Sequence, residues 1–343
     1  MGSNRIAPGV IRPDTAEIET IVVEKPVSPA PDGFFMVWLD TLRVDAATGF
    51  SLYLPRGSNQ PVLYREPQIP FTESTKRKLQ EVGVRHLLVS EEDRDAFQRY
   101  LETHLSAIID DPRVPDEQKS KVIYDTTQWL LEEMFSSDNL VNIAARTANV
   151  ARQTMQFVQK GREALHHLVK VMSFDYYTYT HSVNVYVFSM SLANAIGMDS
   201  ALMERFGQGA LVHDIGKRKV DKSILNHKGK LSPEQWAIMK KHPEWGAEIL
   251  EQEGVRDSVV IDVTLHHHEK LDGTGYPHGL KGDEISLCSR ILTVADIFDA
   301  LTTRRCYKNA ITTFESLQLM RREMASQIDM NIYATLVRLM AKV

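Results

Sequence analysis

The sequence predicts a mainly α-helical protein in which a small N-terminal α/β module precedes an all-helical C-terminal domain. Short aromatic and β-branched runs separated by turn residues occupy 34–65, which is typical of strands. Apolar residues recur at three- and four-residue spacing through most of 116–341, which is typical of packed helices. We therefore divide the chain into a disordered leader at 1–31, an α/β regulatory module at 32–110, a linker helix at 111–137 and a helical domain at 138–343.

The elements of the N-terminal module follow from local signals. The runs FFMVWLDTLRV, FSLYLP, PVLYR and HLLVS predict strands. The run TESTKRKLQEVGV predicts a helix with Thr72 or Ser74 as its N-cap, and Ser90 is the N-cap candidate of the next helix. Before the module, the leader carries five prolines and little apolar periodicity. After it, the segment 110–115 (DDPRVP) breaks the chain.

Helical periodicity then continues to the end of the chain. After the helix that begins near residue 116, we predict helices over 138–171, 175–197, 200–215, 232–252, 256–269, 286–303 and 313–341.

Composition excludes several classes of protein. The net charge of −5 argues against a partner such as a DNA or RNA polymer or an anionic membrane, because each would need a basic field. No apolar run approaches the roughly 20 residues that cross a bilayer. Two cysteines, Cys288 and Cys306, are too few for a disulfide framework. We expect a cytoplasmic protein without a membrane partner.

Histidines are concentrated in the helical domain. Eight of the twelve lie between residues 181 and 278. A lone histidine is more often an ordinary core or surface residue, and we interpret His227 and His278, in polar loops, that way. Asp296 differs, because an unpaired carboxylate within an apolar helix is costly. Together the histidines and carboxylates of five helices predict a metal site.

The motifs in this region are THS, HDIGK, KHP, HHHEKLDGTGYP and ADIFDALTTRRCYK, in that order. They resemble the HD-GYP domain, a subset of the HD superfamily of metal-dependent phosphohydrolases, over about residues 138–343. The resemblance implies an all-helical HD-type domain. It also implies hydrolysis of the bacterial messenger cyclic di-GMP to pGpG, and in some members on to GMP, by a hydroxide that bridges two metals.

The resemblance implies a ligand set for two divalent metal ions. One metal would be held by His181, His213, Asp214 and Asp296, and the other by Asp214, His242, His267 and His268, with Asp214 shared. His266 falls outside the HHE frame and is interpreted as a structural neighbour. Imidazole and carboxylate ligands without thiolate favour Fe or Mn, with Zn, Co or Ni as alternatives.

The resemblance also implies substrate contacts. Lys217 and Tyr276 would contact phosphate, and Lys217 is assigned to catalysis together with Asp214. Asp299, Arg305 and Lys308 match positions that contact guanine and phosphate. The chain departs from the family at Cys306, where a proline is common. It also carries Tyr177 where some members have a glutamate for a third metal, so we expect two metals.

Two alternatives stay open. One is an HD phosphohydrolase that acts on another nucleotide, such as cyclic GMP-AMP or a mononucleotide. The other is a protein that binds cyclic di-GMP without hydrolysing it, or that interacts with diguanylate cyclases. We also expect a homodimer formed through the helical stretch 116–171, which would transmit the state of the N-terminal module.

Overall fold

The computed structural model describes residues 30–44, 46–56, 59–137, 140, 142–172, 178–227, 229–303 and 311–341. The chain divides into two compact units, Met1–Val122 and Ile123–Val343. The division falls inside a helix, Asp116–Ser136, within the segment 111–137 that the sequence predicts as a linker. The predicted four-part organisation stays a prediction, and the leader lies almost wholly outside the described residues.

The first unit is the small α/β module expected from its strand-like runs. Its strands are β1 (Phe34–Trp38), β2 (Ala46–Ala47), β3 (Leu52–Arg56), β4 (Asn59–Arg65), β5 (Pro70–Phe71) and β6 (His86–Ser90). Its helices are α1 (Glu73–Glu81) and α2 (Arg94–Asp110), and Thr72 is the N-cap of α1, accepting a hydrogen bond from the Thr75 backbone N–H. The predicted α/β composition of this unit is confirmed.

Strands β1, β6, β3 and β4 form one sheet in that order, and β2 pairs with β5. The β1–β6 pair is antiparallel, with Phe34 opposite Ser90 and Trp38 opposite His86. Aromatic side chains fill the core of this unit. The Phe50 ring meets the rings of Phe97 and Tyr100 edge to face, each with centroids 5.4 Å apart.

The described secondary structure of the second unit is helical, apart from an isolated β-bridge between Asp272 and Lys281. Its helices are α3 (Asp116–Ser136, which begins just before the division), α4 (Ile143–Val158), α5 (Arg162–Val171), α6 (Thr178–Ala195), α7 (Ser200–Val212), α8 (Lys222–Leu225), α9 (Pro233–Met239), α10 (His242–Gln252), α11 (Ser258–His266), α12 (Leu287–Thr302), α13 (Thr313–Glu323) and α14 (Met330–Met340). The mainly helical fold class predicted from apolar periodicity is confirmed. No helix in the described ranges is long and apolar enough to cross a membrane.

Three predicted helices are each interrupted. The stretch 138–171 contains α4 and α5, separated at Gly161, whose φ of +126° lies in a region that favours glycine. The stretch 232–252 contains α9 and α10, and Pro243 occupies the first turn of α10, where no backbone N–H is needed. The stretch 313–341 contains α13 and α14, and Asp329 is the N-cap of α14. Apolar periodicity does not predict these breaks, because the spacing of apolar residues continues across them.

Helices α6, α7, α11 and α12 pack against one another around the centre of the unit, and α10 packs against α11. The interior of α6 and α12 is almost entirely buried, which explains why both read as apolar sequence. Close approach requires glycine at Gly216, because a Cβ there would lie 1.9 Å from the carbonyl oxygen of His242. This contact brings the segment after α7 against the start of α10.

Candidate metal centre

The seven side chains predicted as metal ligands converge in the second unit. They lie on helices or directly beyond their ends: His181 on α6, His213 and Asp214 after α7, His242 at the start of α10, His267 and His268 after α11, and Asp296 on α12. All except His268 are buried. The fold therefore gathers residues that are more than a hundred positions apart in the chain.

The seven form two groups. His181, His213 and Asp296 form one, and Asp214, His242, His267 and His268 form the other. Within each group, one potential ligand atom per residue lies within 4.8 Å of every other. Each group has the nitrogen and oxygen donors and the spacing to hold a metal ion.

Asp214 lies between the two groups. Its Oδ1 is 3.2 Å from His242 Nε2 and 3.8 Å from His267 Nε2. Its Oδ2 is 3.5 Å from His213 Nε2 and 3.8 Å from His181 Nε2. One carboxylate oxygen therefore faces each group, which is the arrangement of a bridging ligand.

Asp296 also links the two groups. Its Oδ1 is 3.0 Å from His181 Nε2, and its Oδ2 is 3.6 Å from His268 Nδ1. The helix α12 presents this carboxylate from its buried face, among mostly apolar residues. The cost of burying an unpaired carboxylate, which drew attention to Asp296 in the sequence, is thus offset by imidazole partners.

Three histidines are oriented in the same way by backbone carbonyls. The Nδ1–H groups of His213, His242 and His267 donate to the carbonyl oxygens three residues earlier, at Ala210, Met239 and Thr264, each at 2.8 Å. Because a carbonyl oxygen only accepts, the proton of the neutral ring lies on Nδ1. The Nε2 lone pair of each ring then points into the cluster.

Two buried atoms in the cluster make no hydrogen bond to any residue in the described ranges. They are His213 Nε2 and Asp214 Oδ1. A buried polar atom without a partner is costly, and such atoms call for a specific explanation. Both belong to the predicted ligand set, so the donor groups present fit a bound cation.

Electrostatics keep the carboxylates ionised. Burial opposes ionisation of Asp214, but Lys217 and the adjacent His213 ring outweigh it and hold the pKa well below its ordinary value. Burial likewise opposes ionisation of Asp296, but its contacts with His181 and His268 outweigh it and lower its pKa. Anionic oxygen ligands are therefore present near neutral pH.

The same environment keeps imidazoles neutral. Burial lowers the pKa of His242, of His267 and of His268, the last to about 3. The neighbouring histidines lower the pKa of His267 further. Neutral imidazole and ionised carboxylate are the protonation states in which these side chains bind metals.

Lys217 and Tyr276, predicted to contact phosphate, lie beside the cluster. The Lys217 Nζ is 2.5 Å from Asp214 Oδ2. The Tyr276 ring lies 4.7 Å from the His268 ring, centroid to centroid. Burial, together with the charges of Asp296 and Asp214, raises the pKa of Tyr276 above its ordinary value, so its phenol remains a hydrogen-bond donor.

Glu269 holds the loop that carries Tyr276, a function that the sequence pattern did not reveal. Its buried carboxylate accepts hydrogen bonds from the backbone N–H groups of His278, Gly279 and Leu280, at 2.7, 3.2 and 3.1 Å. Gly275 allows the loop to approach, because a Cβ there would lie 2.4 Å from the backbone N of Lys270. The signal in the sequence was a glutamate beside a glycine-rich turn.

Asp299, predicted to contact guanine, lies fully buried behind His181. Its Oδ2 is 2.7 Å from His181 Nδ1. Its Oδ1 accepts hydrogen bonds from the Asn184 side-chain amide at 3.0 Å and from the Thr303 hydroxyl at 2.8 Å. No role was predicted for Asn184 from the sequence. A polar residue three positions after His181 in an apolar helix nevertheless lies on the same helical face as that histidine.

Arg305 and Lys308 lie outside the described residues, as does Tyr177. His266 and His278 contact each other, with Nε2 and Nδ1 3.1 Å apart, and neither belongs to the two metal-binding groups.

Comparison with known proteins agrees with this architecture. The HD domain family model matches residues 146–332. The chain is similar to the cyclic di-GMP phosphodiesterase PA4108 of Pseudomonas aeruginosa, with 36% identity over 57% of this chain and 47% of that protein. It is also similar to the 3'3'-cGAMP-specific phosphodiesterase 3 of Vibrio cholerae, with 39% identity over 47% of this chain and 35% of that protein. The chain thus spans about half or less of these relatives.

A solved structure, Bd1817, an HDG"Y"P protein from Bdellovibrio bacteriovorus, has the same fold. It superposes with a TM-score of 0.61 over 90% of this chain and 99% of that chain, at 21% sequence identity. The family match covers more than half of the chain and includes all seven residues of the metal-binding groups. The chain therefore belongs to the HD domain family, as its resemblance to HD-GYP proteins predicted.

Proposed function

We propose that this protein is a metal-dependent phosphodiesterase that hydrolyses cyclic di-GMP to pGpG, with GMP as the alternative end product. The observation that carries the proposal is the position of Asp214, with one carboxylate oxygen facing each group of potential ligands. A carboxylate shared between two cations is typical of two-metal phosphoryl transfer sites.

The ligand assignment follows the two groups. His181, His213, Asp296 and Asp214 would hold one divalent metal, and Asp214, His242, His267 and His268 would hold the other. When bound, two such cations supply a nucleophile derived from water and neutralise charge on the phosphate. Imidazole and carboxylate donors without cysteine favour Fe or Mn.

The residues around the cluster bind the substrate in this proposal. Lys217 places a cationic amine next to Asp214, where a phosphate oxygen would accept a hydrogen bond from it. Tyr276 keeps its phenolic proton and donates to a second phosphate oxygen. Arg305 and Lys308 would bind guanine and phosphate, as the family resemblance implies. Asp299 would orient His181, since its burial places it behind that ring.

The substrate class is supported by the named relatives. PA4108 is named a cyclic di-GMP phosphodiesterase, and the Vibrio cholerae relative is named specific for 3'3'-cGAMP. Cyclic GMP-AMP is therefore the second candidate substrate. Both are cyclic dinucleotides with two phosphodiester bonds, so the same cluster serves either.

The test is an assay of purified protein whose metal content has been measured. Samples loaded with Fe, Mn or Zn are incubated with cyclic di-GMP or cyclic GMP-AMP, and linear products are followed by chromatography. We expect hydrolysis of cyclic di-GMP that Asp214→Ala abolishes, whereas His227→Ala, outside both groups, retains it. Tight binding without turnover in every metal form would instead favour the non-hydrolysing sensor.

We also propose that the helical stretch 116–171 forms a homodimer and transmits the state of the N-terminal module. The stretch contains α3, α4 and α5. A monomer by light scattering at micromolar concentration would contradict this proposal. An interaction with diguanylate cyclases stays a prediction, to be tested by co-purification with a purified cyclase.

A further inference from the structure

One large exposed hydrophobic side chain lies next to Tyr276, which contacts the metal-binding groups. Trp236 on α9 is 46% exposed, and its ring centroid lies 6.1 Å from that of Tyr276 at an interplanar angle of 80°. Tyr276 in turn lies 4.7 Å from the ring of His268. The three rings form a row that leads from the cluster toward solvent.

The position of Trp236 is fixed by the helix that carries it. Ser232 and Gln235 form a reciprocal capping box at the start of α9, and Pro233 occupies its first turn. The end of α9 is fixed as well, because the Met239 carbonyl accepts the Nδ1–H of His242. The short segment from Trp236 to His242 therefore links an exposed aromatic ring to a potential metal ligand.

An exposed indole ring suits a flat aromatic partner. The only ring that Trp236 contacts among the described residues is Tyr276, and its indole N–H makes no hydrogen bond to them. An exposed indole beside a candidate phosphate-binding site is the kind of surface on which nucleobases stack. One ribose separates a base from its phosphate. If the phosphate binds at the cluster, its base would therefore lie about one side-chain length from the cluster.

We propose that Trp236 is the stacking platform for a nucleobase of the substrate and contributes to selection of nucleotide over other phosphodiesters. This inference rests on the proposed function, since it assigns the phosphate of a cyclic dinucleotide to the metal-binding groups. Stacking holds the base and leaves the bond-breaking groups unchanged. Trp236 therefore determines substrate affinity more than the rate of the chemical step.

The variant Trp236→Ala tests the platform with two substrates. One is cyclic di-GMP, and the other is methyl p-nitrophenyl phosphate, a chromogenic phosphodiester that has no nucleobase. Loss of one stacking contact should raise KM for cyclic di-GMP roughly ten- to a hundredfold and change kcat little. The kinetic constants for the chromogenic ester should stay within about twofold of wild type. Trp236→Phe, which keeps an aromatic face, should restore most of the affinity.

Ile238→Ala is the matched control, because Ile238 is also exposed on α9 and lies about 200° around the helix from Trp236. It should leave both substrates unaffected. Unchanged KM and Kd for cyclic di-GMP in Trp236→Ala would overturn the platform. So would an equal loss of activity toward both substrates, because it would indicate a structural role.

Binding of cyclic di-GMP by equilibrium dialysis separates this inference from the proposed activity. A wild-type protein that binds without turnover contradicts the hydrolase, and a weaker Kd in Trp236→Ala would still support the platform. A wild-type protein that neither binds nor hydrolyses cyclic di-GMP overturns the proposed substrate and the platform together.

Discussion

Asp299 Oδ2 lies 2.7 Å from His181 Nδ1, and this buried pair places a carboxylate behind a potential metal ligand. The other oxygen of Asp299 is occupied by Asn184 and Thr303, so the carboxylate is held from two sides. A carboxylate that accepts the Nδ1–H of a histidine fixes the orientation of the ring. It also makes the Nε2 lone pair a better electron-pair donor to a metal. The His181 Nε2 faces Asp296 and Asp214.

We predict that Asp299→Ala lowers metal affinity about 10- to 100-fold, because His181 loses its orienting partner. Metal content after dialysis against graded chelator concentrations measures the effect. Asp299→Asn keeps an acceptor oxygen and should lose less. A variant that retains both metals but shows a higher KM for cyclic di-GMP would instead support contact between Asp299 and the base.

Lys217→Ala should reduce turnover roughly 10- to 100-fold while metal content stays unchanged. Lys217 faces Asp214 Oδ2, and its amine carries no lone pair to bind a metal while it is protonated. Metal analysis and turnover of the same preparation provide the measurement. Lys219→Ala is the matched control, because Lys219 pairs with Glu248 at the surface. Loss of metal in Lys217→Ala would contradict this division of roles.

Glu269→Ala should destabilise the second unit by about 3 kcal/mol, since three backbone N–H groups lose their acceptor. Turnover should fall as well, because those groups belong to the loop that positions Tyr276. Urea denaturation and activity measure the two effects. Tyr276→Phe offers the comparison, since it removes only the phenolic hydroxyl and should reduce turnover without loss of stability. Equal stability of both variants would contradict the role of Glu269.

A pH-dependent prediction concerns the first unit. Asp111 accepts hydrogen bonds from Arg113 and from the Arg43 guanidinium at 3.0 Å. The hydrogen bond from the Arg113 side chain holds the pKa of Asp111 below its ordinary value of 3.8, although burial opposes it. The folded state therefore binds the proton less tightly than the unfolded state. The stabilisation is complete above about pH 4 and is lost as the pH falls below it.

Asp111→Asn should consequently destabilise the first unit by about 2 kcal/mol at pH 7. The difference from wild type, measured by urea denaturation, should shrink as the pH falls from 4 toward 2. Asp110→Asn, one residue earlier, should have little effect, because among the described residues Asp110 accepts a single long, exposed hydrogen bond, from Ser106. A difference that stays constant with pH would show that the Asp111 charge does not contribute.

The amino-acid sequence by itself predicted the fold class and, through its resemblance to the HD-GYP domain, the seven potential ligands. Apolar periodicity reports which face of a helix is buried, and it therefore predicts helices such as α6 and α12 well. It predicts their ends less well, as at Gly161 and before His242, because breaks depend on single backbone conformations. Asp296 stood out because an ionisable residue in an apolar helix needs partners, whereas Asp214 was assigned through the resemblance to the HD-GYP domain.

Only the tertiary structure decided how these residues face one another. Asp296 and Asp299 are three residues apart on one face of α12, so spacing gives them the same direction. The two carboxylates differ, however, in their distance from the centre of the cluster. Asp296 contacts residues of both groups of ligands, whereas Asp299 lies behind His181. The position of each carboxylate relative to the cluster depends on which helices pack against each other, and the local sequence does not encode it. Helix packing, and not the local sequence, likewise decides that the two oxygens of Asp214 face different groups of ligands.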